Sequence, residues 1–216
     1  MSEKDNDRGR VEYLPLFPSL AIKFDTNPEF KDYIRDDLIQ FAYKERDRDI
    51  KGINRSNNGG WHSHIKLTKQ ENFLKYRDFI YKYLGKVFTG FIKKGGDVKM
   101  AGCWININGE GDTNSHHNHP GAHMSGVFWV KCNEKSGSLR FVNPHTFDHF
   151  GLLDTITKEA KSKHLLSPAY YMRPEEGSIA IFPSSLMHHV LPNEKDTDRI
   201  SIAFNLILKP PKLEEE

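Results

Sequence analysis

Cysteine is scarce in this 216-residue chain, which has only Cys103 and Cys132. That excludes a disulfide scaffold and is the usage expected of a reducing, cytoplasmic compartment. No apolar run approaches the length of a membrane-spanning helix. The opening residues MSEKDNDRGR lack the apolar stretch of a secretory signal. A basic excess is also missing: 31 Lys+Arg stand against 29 Asp+Glu, a formal net charge of +2. Dedicated nucleic-acid binders declare themselves by such an excess, so nucleic acid is a disfavoured partner. No internal repeat or low-complexity linker divides the chain. Its length suits one domain, expected over residues 11–209, with polar tails at 1–10 and 210–216. Histidine is what the chain has in excess: 11 residues, nine of them from His116 to His189.

The first third reads as a helical layer over about residues 28–95. Phe30, Tyr33, Ile34, Leu38, Phe41 and Ala42 fall at helical spacing behind Pro28, a favoured first-turn residue. A second stripe runs over 71–92 through Phe73, Tyr76, Phe79, Ile80, Tyr83, Leu84, Val87, Phe88 and Phe91, with Gly95-Gly96 as its expected stop. Lysines interleave this second helix at Lys75, Lys82, Lys86, Lys93 and Lys94. They read as a solvated face, or as a nucleic-acid face, with the neutral total charge favouring the former.

From residue 97 to 209 the pattern becomes short β-rich runs separated by Gly, Pro, Asn and Asp: VKMAGCWINI, SGVFWVKC, SLRFVNP, AYYMRP, SIAIFPSS and RISIAFNLIL. Strands without intervening crossover helices indicate an antiparallel sandwich or barrel. The fold expected is therefore mainly β, a jelly-roll core buttressed by N-terminal helices.

His117 and His119 stand at i and i+2, so an extended backbone points both to one face and turns His116 to the other. His188-His189, far along the chain, offer a third imidazole. Three ligands from two distant strands build a metal site with one side open. Arg199 and Ser201 follow in the apolar run RISIAFN. A guanidinium facing inward there needs an anionic partner, which a small dicarboxylate would supply. Trp61, in the glycine-rich SNNGGWHS, reads either as part of a mobile lid or as an anchor between layers.

The strings VEYLPLFPS, SNNGGWHS, HNHPGAHMSGVFWV, FPSSLMHHVLPN and RISIAFN resemble the Fe(II)/2-oxoglutarate-dependent oxygenases, in particular a phage and bacterial subgroup. The resemblance spans about residues 11–208 and implies a double-stranded β-helix, Fe(II), 2-oxoglutarate and O2. It also implies an unidentified prime substrate, in the cytoplasm of a bacterium or phage-infected host. The family's His-x-Asp pair and distal histidine imply His117, His119 and His188 as ligands, with His119 where aspartate is usual. The competitors are His189 for His188, and Asp112 as a carboxylate ligand. In the DNA-repair dioxygenase branch, Asn-x-Tyr-x-x-Gly precedes the metal histidine by six residues. Asn106, Asn108, Gly111 and His117 keep that spacing, with Asn108 replacing tyrosine, and imply Asn106 and Asn108 at the cosubstrate. Arg199 and Ser201 would hold its distal carboxylate.

Two functions follow: a dioxygenase coupling 2-oxoglutarate decarboxylation to hydroxylation, or a cupin-like metal binder or sensor. Three-histidine iron sites occur in cupins and thiol dioxygenases, so the loss of aspartate leaves iron binding intact. It also adds a unit of positive charge.

Overall fold

The computed structural model describes residues 18–26, 28–145, 153–163 and 166–211. Both expected tails lie outside these residues, apart from Pro210 and Pro211, as do His149 and His164. Two units are distinguished. One comprises residues 1–19 and 145–168 and contains a short helix at Lys158–Lys163, with Thr157 Oγ1 accepting the Ala160 N–H at 3.2 Å. The other, residues 20–144 and 169–216, carries all of the following.

The first helical stripe forms two helices, α1 (Glu29–Tyr33) and α2 (Arg35–Arg48), broken at Ile34 with φ −121°. Acidic residues occupy each first turn and basic residues the end of α2, matching the helix dipole. The break throws Tyr33 out of phase, and it is 76% exposed instead of joining the stripe. The second helix, α3 (Leu74–Phe88), follows two 3-10 turns at Leu67–Lys69 and Glu71–Phe73. It buries Tyr76, Phe79, Ile80, Tyr83, Leu84 and Phe88 on one face. It ends earlier than Gly95-Gly96 suggested: Gly90, at φ +81°, turns the chain, and Phe91 is left half-exposed. Lys75 pairs with Asp37 and Lys82 with Glu29, while Lys86 lies over the Tyr83 ring. Lys75 and Lys82 thus tie α3 to α2 and α1.

Two antiparallel sheets make a jelly roll, so the protein is mainly β. The major sheet contains β1 (Ile22–Asp25), β3 (Trp61–His62), β4 (Asp97–Asn108), β6 (Met124–Lys131), β9 (Ser178–Pro183) and β11 (Arg199–Lys209), in the order β1-β9-β6-β11-β4-β3. The minor sheet contains β2 (Asn57–Asn58), β5 (Thr113–His117), β7 (Leu139–Val142), β8 (Ala169–Met172) and β10 (His188–Val190), in the order β2-β5-β10-β7-β8. The major sheet is buried on both faces, which is why its strands read as continuous apolar runs. Phe128, Ile105, Ile107, Ile200, Ile202 and Phe204 pack with the helical layer. Their alternates point between the sheets, where Val127, Trp129, Ala180 and Phe182 of the major sheet meet Leu139, Phe141 and Met172 of the minor one.

Gly126 is required by close approach: a Cβ there would stand 2.3 Å from the Phe204 ring. Trp61 proves to be an anchor. It is 7% exposed, pairs with Ile107 across β3–β4, and donates its indole N–H to the Asp49 carbonyl at 2.7 Å.

Candidate metal centre

β5 and β10 pair so that His188 lies directly opposite His117. His119 follows the end of β5, where its backbone N–H bonds the Ser184 carbonyl at 2.9 Å. Beneath that carbonyl, Ser184 Oγ and Ser125 Oγ lie 2.7 Å apart, and Ser125 donates to Asn205 Oδ1 at 2.8 Å. The three imidazoles converge. Ring centroids are 4.4 Å apart for His117–His188, 5.0 Å for His117–His119 and 5.1 Å for His119–His188, and one nitrogen from each lies within 4.8 Å of the others.

Two of the rings are held in the tautomer a metal needs. His117 Nδ1 meets the Ser115 carbonyl at 2.7 Å and His188 Nδ1 meets the Leu186 carbonyl at 2.8 Å. A carbonyl only accepts, so Nδ1 carries the proton and Nε2 keeps its lone pair. Burial holds all three below the ordinary histidine range, His119 at about 4 and His188 at about 3, with neighbouring histidines adding to the effect. Each is neutral at physiological pH. The donor set suits a divalent first-row metal.

Period-two alternation sends the neighbours the other way. His116 and His189 stack on the outer face of the minor sheet, centroids 3.8 Å apart, and Arg140 donates to His189 Nε2 at 3.3 Å. His188, not His189, therefore joins the cluster. Asp112 does not reach it: its Oδ2 accepts the Gly109 N–H at 2.7 Å in the preceding turn.

The same cavity is lined by the three histidines and by Asn106, Arg199 and Ser201. Register explains the convergence, since Arg199 pairs with Asn108 and Ser201 with Asn106. Arg199 is 2% exposed. Its Nη1 bonds Asn108 Oδ1 at 3.3 Å and Ser201 Oγ at 3.5 Å, and its Nε has no partner among the described residues. Burial pushes the guanidinium down to about 10, which leaves it charged at neutral pH. Asn106 Oδ1 is likewise buried without a partner. Asn108 stands behind Arg199, and the cavity-lining side chains do not include it. The site thus carries an uncompensated buried cation and an unsatisfied amide on one side, and three free imidazole nitrogens on the other.

Sequence reasoning passed over Trp104 and His62. Trp104 lines the cavity, its ring 5.6 Å from His119, and His62 stacks on it at 5.7 Å with 7° between planes. Parity with Asn106 on one strand was a usable signal for Trp104. His62 reaches this place only through the non-local pairing of β3 with β4.

Residues 102–205 match a family model described as "Putative 2OG-Fe(II) oxygenase". This segment belongs to the 2OG-Fe(II) oxygenase family. Fe(II) and 2-oxoglutarate are the cofactor and cosubstrate of that family, and the oxygenase segment contains every cavity-lining residue named above. No curated protein sequence matches the chain. Solved structures share the fold of this chain. A Pseudomonas putida prolyl-4-hydroxylase is 16% identical, covers 90% of this chain and 94% of its own, and superposes with a TM-score of 0.53. A 2OG-Fe(II) oxygenase-family oxidoreductase from Burkholderia pseudomallei is 11% identical over 87% and 84%, with a TM-score of 0.56. HygX from Streptomyces hygroscopicus, solved with nickel and 2-oxoglutarate, is 11% identical over 92% and 85%, with a TM-score of 0.54.

Proposed function

We propose that this oxygenase hydroxylates a prime substrate with His117, His119 and His188 as its iron ligands. The observation that carries the reading is the buried, uncompensated Arg199 facing the same cavity as the three neutral imidazoles. An isolated buried cation costs several kcal/mol unless an anion joins it. A dicarboxylate joins it with one end and leaves its oxoacid end for the metal.

When bound, iron and 2-oxoglutarate supply the oxidising chemistry: O2 is consumed, 2-oxoglutarate yields succinate and CO2, and a substrate C–H bond is hydroxylated. The chain's own residues bind and orient. His117 and His188 present Nε2 because backbone carbonyls hold their Nδ1 protons. Arg199 and Ser201 hold the distal carboxylate, and Asn108 keeps the guanidinium aimed. A half-turn of the Asn106 amide offers its Nδ2 as donor to the metal-bound end. Trp104, Val127 and Phe182 supply apolar walls that limit water.

Near-balanced charge and the pairing of Lys75 and Lys82 with acids of the helical layer argue against nucleic acid as the substrate. Free Cys103 and Cys132 support a cytoplasmic setting. Among the described residues, no helix is long and apolar enough to cross a membrane.

Anaerobic addition of Fe(II) and 2-oxoglutarate to the purified chain tests the reading. A visible charge-transfer band, and succinate on admitting air, are expected. Absence of both leaves only a metal-binding role and overturns the proposal.

A further inference from the structure

Among the described residues the centre contains no negative charge. Among the described residues the metal-capable cluster consists of His117, His119 and His188 alone, with no carboxylate. The titratable side chains acting on these three are other histidines, with no carboxylate among them. The hydrogen bonds of Arg199 are to the neutral Asn108 and Ser201. A divalent ion at the imidazoles would place its two positive charges in one cavity with a guanidinium and nothing to offset them. Like charges in a partly desolvated cavity oppose each other strongly. Only a ligand that is itself anionic relieves both at once, and 2-oxoglutarate is a dianion with a carboxylate at each end.

We propose that the metal and 2-oxoglutarate load this centre as a linked pair, each raising the affinity of the other, and that His119 sets the strength of the linkage. The inference rests on the oxygenase reading and goes beyond it. An acidic residue at position 119 would neutralise one charge permanently, so the metal would bind alone and gain less from the cosubstrate. With a neutral imidazole there, the cosubstrate must supply the whole of that charge. Linkage is reciprocal, so the same factor governs both binding steps.

The test is titration of Mn(II) into the metal-free full chain, with free Mn(II) followed by electron paramagnetic resonance, with and without saturating 2-oxoglutarate. The expected gain in Mn(II) affinity is about tenfold or more. H119D is expected to bind Mn(II) more tightly than wild type in the absence of 2-oxoglutarate, and to gain less when it is added. H119E carries the same charge on a longer stem and serves if H119D fails to fold or to reach the ion. Tighter binding and weaker coupling in either acidic variant supports the linkage. The proposal is overturned if neither variant binds Mn(II) more tightly than wild type without the oxoacid, or if coupling is as large in them as in wild type. The charge-transfer band with Fe(II) separates the two failures. Band present with unaltered coupling removes the linkage and leaves the oxygenase. Band absent, with no effect of 2-oxoglutarate on Mn(II), removes both.

Discussion

His188 sits directly across an antiparallel register from His117, and the two rings lie 4.4 Å apart. One strand pair thus brings together imidazoles 71 positions apart in sequence. Each is locked by the carbonyl two residues before it, Ser115 for His117 and Leu186 for His188. The backbone that pairs the strands also fixes the tautomers, so the donor set is prepared before a metal arrives.

Arg199 is the residue whose loss should separate cosubstrate from metal. R199L removes the one permanent cation lining the cavity among the described residues. It should raise the KM for 2-oxoglutarate by about 100-fold, the loss of charge-assisted bonds. Mn(II) binding without 2-oxoglutarate should survive and improve slightly. The melting temperature of the metal-free protein should not fall, because an uncompensated buried charge is removed. Calorimetric melting and substrate-dependence of succinate release check both halves.

The metal-free fold should weaken in mild acid. His119 and His188 titrate at about 4 and about 3 when folded, below the ordinary 6.5, because burial disfavours their charged forms. Between these values and 6.5 the unfolded chain binds more protons than the folded one, so stability rises with pH across that window. It is complete above about 6.5 and lost progressively as pH falls towards 4 and 3. Urea midpoints measured from pH 7 to pH 4 in a chelator should fall steadily, and less in H119A.

Gly126 permits the packing of Phe204, so G126A should overpack the core. A methyl group 2.3 Å from the ring forces a shift costing about 1–3 kcal/mol. Adding F204L should recover part of the loss, and chemical denaturation of the single and double variants reads it directly.

Trp104 should report metal binding, since its ring is 5.6 Å from that of His119. Paramagnetic Mn(II) should quench indole fluorescence in the wild type. W104F should lose most of that change while still binding the ion by electron paramagnetic resonance.

Some of this was legible in sequence. The helical stripes, the six main β runs and the parity that separates His117 from His116 are local properties, written in spacings of 3.6 and 2. Even so, a single exposed Tyr33 shows that a break at Ile34 outweighs an uninterrupted stripe. β1 and β3 carry too few residues for any pattern and exist only because β9 and β4 offer them an edge.

The sequence alone determined the materials of the centre: histidines at i and i+2, a distal histidine pair, and an arginine inside an apolar strand. Strand spacing left His188 and His189 undecided, because adjacent residues on a strand carry equal local signals, and only the family resemblance favoured His188. Tertiary structure chose His188, through the register that sets it against His117 and turns His189 towards Arg140. It also showed Arg199 to be buried without an anion, a fact about surroundings that no spacing records. Residue chemistry travels with the chain, but which groups share a cavity, and whether their charges balance there, depends on strands brought together from distant parts of it.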